Sequence, residues 1–217
     1  MPGAVIFDFD GLILDTETPL FEAWHRTFEH HGVEPIGLSE WSRSLGLADD
    51  DPNLLDPLIR LREQVDRDLD LDAVQAMRRR CRDDALRATP LQPGVVELLD
   101  AADRRGLPVA VASSSPTEWL DRHLADRQLA DRFPTRSCAG DGVPGKPDPA
   151  VYLRAAAMLG VDPAQCLALE DSPNGVAAAK AAGMRCIAVP TGISRDLDLT
   201  AADRVLATLL EVDLDEW

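Results

Sequence analysis

The chain has 217 residues, of which 45% are hydrophobic, so it can bury one large core with or without a smaller accessory domain. Its formal net charge of −16 disfavours nucleic acid as a partner, because phosphate backbones are bound by clustered Lys and Arg. No apolar run approaches the roughly 18 residues of a membrane span and no secretion signal is recognisable, so we expect a cytoplasmic protein without a membrane partner.

Apolar runs, taken in chain order, predict five short β-strands. Helical stretches separate the last four runs, which is typical of a parallel sheet whose strands are joined by crossover helices. We therefore predict an α/β fold with a central five-stranded parallel sheet flanked by helices. The predicted strands span residues 4–7, 107–112, 135–138, 166–169 and 185–189.

A long insertion, residues 16–88, separates the first predicted strand from the second. Two amphipathic runs dominate it, one ending before Gly32 and one over residues 69–86, and no run in it has a strand pattern. The prolines near both of its ends are typical of linkers. We predict two domains: a core formed by residues 1–15 and 89–217, and an all-helical cap formed by the insertion.

Polar side chains follow four of the predicted strands. In open α/β sheets, ligands bind outside the carboxyl ends of the strands, so these side chains are expected to meet. Each one alone could be a helix cap, a surface charge or a solvated turn. Together, their carboxylates would repel one another unless a cation compensated. The residues are Asp8 and Asp10, then Ser113, Ser114 and Ser115, then Lys146, and finally Glu170 and Asp171.

The same residues suit a divalent cation and a phosphoryl group. Mg²⁺ binds carboxylate oxygens and keeps water or phosphate oxygens as further ligands, so we expect Mg²⁺ as the cofactor. Ser113 offers a hydroxyl, and the backbone N–H groups near Ser114 precede a predicted helix. Lys146, one of only two lysines in the chain, would supply a compact positive charge.

At this point the motifs resemble those of the haloacid dehalogenase superfamily. The matching stretches are DFDGLILDTE, the VASSS strand end, GKPDP and LEDSPNG, in the family's order and over nearly the whole predicted core. The helical insertion after DFDG is similar to the C1 cap of subfamily I. Within that subfamily, the chain resembles the branch that contains β-phosphoglucomutase and many sugar-phosphate phosphatases. The resemblance implies a Rossmann-like core.

The resemblance also implies a role for each site residue. Asp8 would be the nucleophile that forms an aspartyl-phosphate, and Asp10 the general acid and base. Ser113, Ser114 and Lys146 would bind the phosphoryl group. The implied metal ligands are Asp8, the main-chain carbonyl of Asp10, Asp171, and Glu170 either directly or through another ligand.

Two other reactions of the superfamily are disfavoured. Its dehalogenases lack the second aspartate and need no metal, whereas this chain has Asp10 and the Glu170-Asp171 pair. Its phosphonate-cleaving members use a cap lysine, and residues 16–88 contain none. We therefore predict an Mg-dependent phosphatase that acts on a small phosphorylated metabolite, in particular a sugar phosphate.

The principal alternative is a β-phosphoglucomutase-type mutase, and a third is a phospho-ligand-binding protein with secondary catalysis. Mutases carry His at the position that matches Leu20, and Lys-Asn where this chain has Pro116-Thr117. Their basic cap loop is replaced by Leu-Ala-Asp-Asp-Asp at residues 47–51. Without cationic groups for a second phosphate, a bisphosphate intermediate should be lost to water, which favours the phosphatase.

The remaining expectations concern the cap surface and assembly. We expect residues 43–51 to face the cleft, where three aspartates favour a substrate with a neutral or cationic remainder. The Arg78-Arg79-Arg80 cluster has the pattern of a solvated helix face. With no exposed apolar stripe in the sequence, we expect a monomer or a weak homo-oligomer.

Overall fold

A computed structural model describes residues 1–47, 54–65, 68–140 and 142–217. In these parts of the chain, six strands form one sheet in the order β3-β2-β1-β4-β5-β6, and all neighbouring strands pair in parallel. The predicted α/β class is confirmed. The strands are β1 Ala4–Phe7, β2 Val109–Ser113, β3 Thr135–Cys138, β4 Cys166–Glu170, β5 Arg185–Ala188 and β6 Arg204–Val205.

The sheet has one strand more than the five predicted. The additional strand, β6, is two residues long and pairs with β5 at the edge of the sheet. Both of its residues are exposed, so no apolar run marks it in the sequence. Short edge strands of this kind limit unwanted pairing with other chains.

Helices cover both faces of the sheet. Alternate residues of β1 point to opposite faces: Val5 and Phe7 pack in a cluster with residues of α5 and α6, whereas Ala4 and Ile6 pack with residues of α7 and α8. The helices are α1 Glu17–His31, α2 Leu38–Trp41, α3 Pro57–Gln64, α4 Leu71–Ala88, α5 Val95–Arg104, α6 Thr117–Asp126, α7 Ala150–Leu159 and α8 Pro173–Ala181.

Helices α1 to α4 have an apolar cluster of their own, which includes Trp24, Phe28, Trp41, Leu61 and Val74. The described residues between α1 and the end of α4 contain no strand. None of the helices in the described ranges is long and apolar enough to cross a membrane. The division into a cap of residues 16–88 and a core stays a prediction.

The position of β1 determines where polar groups meet. Phe7 at its end is paired with Val111 of β2 on one side and with Leu169 of β4 on the other. The chain therefore leaves all three strands at the same edge of the sheet. Asp8, Ser113 and Glu170 lie within two residues of these paired positions.

Candidate active site

Asp8 and Asp10 leave the end of β1 in different directions. Asp8 is buried, and its backbone N–H donates to Leu169 O at 2.9 Å, which continues the β1–β4 ladder. Gly11 follows with φ at +93°, and a Cβ atom there would lie 2.1 Å from an oxygen of Asp171. Only glycine therefore allows the chain to turn this close to the Asp171 carboxylate.

Lys146 joins Asp8 to Glu170. Its ammonium group is 1% exposed and donates to Asp8 Oδ1 and, at 2.6 Å, to Glu170 Oε1. The Tyr152 hydroxyl donates to the same Glu170 oxygen at 2.5 Å. Burial lowers the pKa of Lys146, but the two carboxylates outweigh it and raise the pKa above its ordinary value. The ammonium group is therefore held charged inside the protein.

Asp8 and Glu170 belong to a group of three buried carboxylates, of which Asp171 is the third. Asp8, Glu170 and Asp171 each offer an oxygen, and these oxygens all lie within 4.8 Å of one another. Burial raises the pKa of Asp8 to about 8 even though Lys146 acts in the opposite direction. Burial, followed by Asp8 and Glu170, raises the pKa of Asp171 well above its ordinary value. Such a set of buried oxygens is suited to a hard cation.

Asp10 lies away from this cluster and accepts hydrogen bonds from four side chains. Its Oδ1 accepts from Thr16 Oγ1 at 2.8 Å and from Trp119 Nε1 at 2.9 Å. Its Oδ2 accepts from Ser115 Oγ at 2.7 Å and from Ser113 Oγ at 3.2 Å. The two aspartates of the motif therefore have different surroundings, one beside an ammonium group and one among neutral donors.

Of the three serines at the end of β2, Ser113 and Ser115 donate to Asp10, whereas Ser114 does not. Ser115 does not cap α6, because the helix begins at Thr117 with Pro116 before it and the Ser115 hydroxyl is used by Asp10. Ser114 Oγ donates to Gly46 O at 2.8 Å and accepts from the Lys146 backbone N–H at 3.0 Å. Ser114 therefore connects the loop that carries Lys146 with the turn at Gly46, which follows α2.

A cavity of about 360 Å³ lies between Asp10 and helices α1 to α4. Its walls include three indoles, from Trp24, Trp41 and Trp119. Glu17 also lines the cavity, and burial together with Asp10 and Asp15 raises its pKa to about 8. An apolar cavity with a few polar groups is the usual form of a small-molecule site.

Arg78 and Arg82 of α4 also line this cavity. The interpretation of residues 78–80 as a solvated face is wrong for Arg78. The sequence predicts a cleft without cationic groups, and this prediction is also wrong. Arg79 and Arg80 are exposed as expected. Leu45 and Leu47 border the cavity, but residues 48–53, with the three aspartates, lie outside the described residues, so the expected effect of those aspartates stays a prediction.

Sequence reasoning misses four side chains that contact the predicted site residues. Thr16 lies inside the DFDGLILDTE motif, which is the one local signal for it. Trp119 is in the first turn of the helix that follows the serines, and Tyr152 is in the first turn after GKPDP. Ser194, which donates to Asp171 Oδ2 at 3.0 Å, has no signal in the sequence.

Known proteins resemble the chain over nearly its whole length. A family model of haloacid dehalogenase-like hydrolases matches residues 2–183. YhcW of Bacillus subtilis (strain 168) is 40% identical over 211 residues, 97% of this chain and 94% of that protein. Hexitol phosphatase B of Escherichia coli (strain K12) is 36% identical over 210 residues, 96% and 93% of the two chains. The structure of CbbY from Rhodobacter sphaeroides with phosphate has a TM-score of 0.75 at 28% identity, with 97% of this chain and 96% of that chain covered.

Proposed function

Because the chain belongs to the haloacid dehalogenase-like hydrolases, as its motifs predict, we propose that it is a phosphatase that hydrolyses a small phosphomonoester. The observation that carries the proposal is the separation of two carboxylates at one strand end. Asp8 lies beside Lys146 in the buried cluster, whereas Asp10 faces neutral donors and the cavity. Phosphoryl transfer through an enzyme ester needs one carboxylate as a nucleophile and another group to move a proton.

The substrate class that we propose is a phosphorylated sugar or sugar alcohol. Support comes from the similarity to hexitol phosphatase B over 96% of the chain. The cavity walls agree with this class, since indole rings pack well against the C–H faces of a sugar chain.

In the proposed mechanism, the Asp8 carboxylate attacks phosphorus and the bond from phosphorus to the alcohol oxygen breaks. Asp10 gives its proton to the departing oxygen. Asp10 then takes a proton from a water molecule as that water attacks the aspartyl-phosphate. The bond between phosphorus and Asp8 breaks, inorganic phosphate leaves, and both aspartates return to their initial states. Lys146 and Ser113 hold the phosphoryl oxygens.

We propose Mg²⁺ as the cofactor, because the donor set consists of buried carboxylate oxygens with more negative charge than Lys146 balances. Asp8, Asp171 and the main-chain carbonyl of Asp10 would hold it. Glu170 already accepts from Lys146, Tyr152 and the Asp171 N–H, so its first role is to orient Lys146. When bound, the ion supplies positive charge for the phosphoryl oxygens.

A β-phosphoglucomutase-type reaction is the second candidate. Arg78 and Arg82 in the cavity favour it, because they give the site a cation for a second phosphate. Leu20, which lies in the same cavity, favours the phosphatase, because it cannot serve as the His of the mutases. Conversion of β-glucose 1-phosphate to glucose 6-phosphate with little release of inorganic phosphate would establish the mutase.

The direct test of the phosphatase is phosphate release from a panel of sugar phosphates and from p-nitrophenyl phosphate, with Mg²⁺ or with EDTA. We expect Mg²⁺-dependent turnover, and we expect Asp8→Asn to lower kcat by at least about a thousandfold, because the nucleophile is lost. Asp148→Asn is the matched control, since Asp148 is exposed and an Asn oxygen can still accept from the Ala150 N–H.

Turnover in EDTA, or an active Asp8→Asn variant, would contradict the mechanism. Binding of sugar phosphates without any turnover would instead indicate a phospho-ligand-binding protein. A control variant as inactive as Asp8→Asn would show that the loss reflects general damage to the fold.

A further inference from the structure

The cavity above Asp10 has one cationic wall, formed by α4. Arg78 and Arg82 are four residues apart, so they lie on the same face of this helix. The Arg78 guanidinium lies 5.3 Å from the centre of the Trp24 ring, and its Nε donates to Gln75 at 3.0 Å. Arg78 forms no ion pair with any Asp or Glu in the parts of the chain that the structure describes.

Arg82 differs from Arg78 in its partners. Its guanidinium forms an ion pair with Asp83 at 2.7 Å and lies 5.0 Å from the centre of the Trp119 ring. The charge of Arg82 is therefore largely balanced, and Arg78 supplies the net positive charge of this wall. Burial, and then the nearby Arg82 and Arg79, lowers the pKa of Arg78 to about 10, which leaves it protonated at neutral pH.

Asp10, on the side of the cavity opposite α4, indicates the direction in which a bound substrate would extend. Asp10 belongs to both the proposed catalytic group and the cavity wall, so the alcohol part of a bound phosphomonoester would start at Asp10. From there it would pass the indoles of Trp24 and Trp119 on its way to α4. A half-buried guanidinium at the end of that path would lose its water to a neutral substrate without gaining a partner.

We propose that the alcohol part of the substrate carries a second anionic group, a carboxylate or a phosphate, which binds Arg78 with Arg82 beside it. The inference rests on the proposed phosphatase function and changes the expected substrate from a singly phosphorylated sugar or sugar alcohol to a phosphorylated sugar acid or a sugar bisphosphate. This anionic alcohol part differs from the neutral or cationic one that the three aspartates of residues 49–51 favour in the sequence analysis.

The test compares substrates in pairs that differ in the second anion. One pair is glycerol 3-phosphate and 3-phosphoglycerate, which tests a carboxylate, and the other is glucose 6-phosphate and glucose 1,6-bisphosphate, which tests a phosphate. For at least one pair, we expect kcat/KM to be at least ~10-fold higher for the member with the additional anion, as one charge-assisted hydrogen bond can provide.

Arg78→Gln should lower this preference by about 10-fold, mainly through KM, because the anion loses its charged partner. Arg78→Lys keeps the charge and should retain part of the preference, which guards against a loss caused by misfolding. Arg79→Gln is the matched control, because Arg79 is the exposed neighbour on the same helix, and it should leave the preference unchanged.

Two outcomes would overturn the inference while the proposed function stands. In one, the wild-type protein hydrolyses the neutral members as well as the anionic ones. In the other, Arg78→Gln lowers kcat/KM equally for both members of each pair. If no substrate releases phosphate, p-nitrophenyl phosphate included, the proposed function itself fails.

Discussion

Asp10 is the residue whose contacts link the two sides of the site. Its four donors come from the loop after β1, the serines at the end of β2 and helix α6. The donor from α6, Trp119, is itself held in place. Its ring packs against His123 with ring centres 4.2 Å apart, and the guanidinium groups of Arg82 and Arg122 lie 5.0 and 5.5 Å from its centre. Trp119 thus orients the proposed general acid.

Replacing Trp119 with Phe keeps an aromatic ring and removes the N–H that Asp10 accepts. We expect kcat for alkyl phosphates to fall about 10-fold, since a hydrogen bond to a charged group contributes ~1.5–3 kcal/mol. The loss should be smaller for p-nitrophenyl phosphate, because its leaving group depends less on a proton donor. Steady-state kinetics with both substrates measures the difference.

The control for this variant is Trp24→Phe, which alters an indole of the same cavity that has no hydrogen bond to Asp10. In this variant, any change in kcat should be the same for alkyl phosphates and for p-nitrophenyl phosphate. An equal loss with both substrates in Trp119→Phe would mean that the indole shapes the cavity and does not orient Asp10.

At the scale of elements, the turn after α2 is attached to the core by two hydrogen bonds. Ser114 Oγ donates to Gly46 O, and Asn174 Nδ2 donates to Leu45 O, both at 2.8 Å. The fit is close, because a Cβ atom on Gly46 would lie 2.5 Å from Ser172 Oγ. Ser172 is buried and caps α8, so it has little freedom to move aside.

Gly46→Ala should therefore displace this turn from the core. Its φ of +79° adds about 1–2 kcal/mol of backbone strain for a residue with a Cβ atom. We expect kcat/KM to fall by roughly 10-fold, because the cavity wall next to Asp10 moves. Thermal stability should fall as well, by an amount that corresponds to this strain. Kinetics combined with thermal unfolding would separate the two effects.

Gly37→Ala provides the comparison, because Gly37 precedes α2 and has φ at −71°. A Cβ atom added to Gly37 would have no atom of the described residues within 4 Å, apart from its own chain neighbours. This variant should leave kcat/KM near the wild-type value. A Gly46→Ala variant with full activity would mean that the turn is not required close to the core.

Helix α4 illustrates what sequence patterns can and cannot predict. Its existence follows from its apolar periodicity. It begins at Leu71, two residues after the start of the predicted run, because the Asp70 side chain caps it by accepting from the Ala73 N–H. The orientation of Arg78 depends instead on packing against α1, which local patterns do not describe. One signal does exist: Arg78 is four residues after the buried Val74, so the two share a face.

At the scale of the whole molecule, most of the sheet and the contacts around Lys146 follow from the sequence. Short apolar runs mark five strands, and the strand-end rule brings together Asp8 and Lys146, which are 138 residues apart. The sixth strand and the hydrogen bond from Ser194 to Asp171 do not follow, because each depends on the path of the chain after β5. Such contacts are consequences of tertiary structure.

The raised pKa of Glu17 predicts a pH dependence of global stability. The pKa is about 8 in the folded protein and 4.5 for an ordinary Glu, so the folded state retains a proton that the unfolded state releases between these values. Stability from this group is present below pH 4.5 and is lost as the pH rises towards 8. In Glu17→Gln this loss of stability should not occur, because Gln does not ionise.

We therefore expect Glu17→Gln to unfold like the wild type near pH 4.5 and to be more stable near pH 9. The shift from 4.5 to about 8 corresponds to at most about 5 kcal/mol at ~1.4 kcal/mol per pKa unit. Glu17 is partly exposed, so we expect about half of that difference. Urea unfolding across this pH range measures the difference. Glu22→Gln changes an exposed residue of the same helix and should give no such trend. A constant difference across the range would contradict the prediction.

The two lysines differ in a way that matters for attaching the protein to a surface. Lys146 is 1% exposed and bonded to two carboxylates, so amine-directed reagents cannot reach it in the folded state. Lys180 is 36% exposed and lies near the end of α8, a helix that starts beside the site and runs towards the opposite edge of the sheet. Amine coupling through its side chain would therefore immobilise the protein in an orientation that leaves the cavity open to solvent.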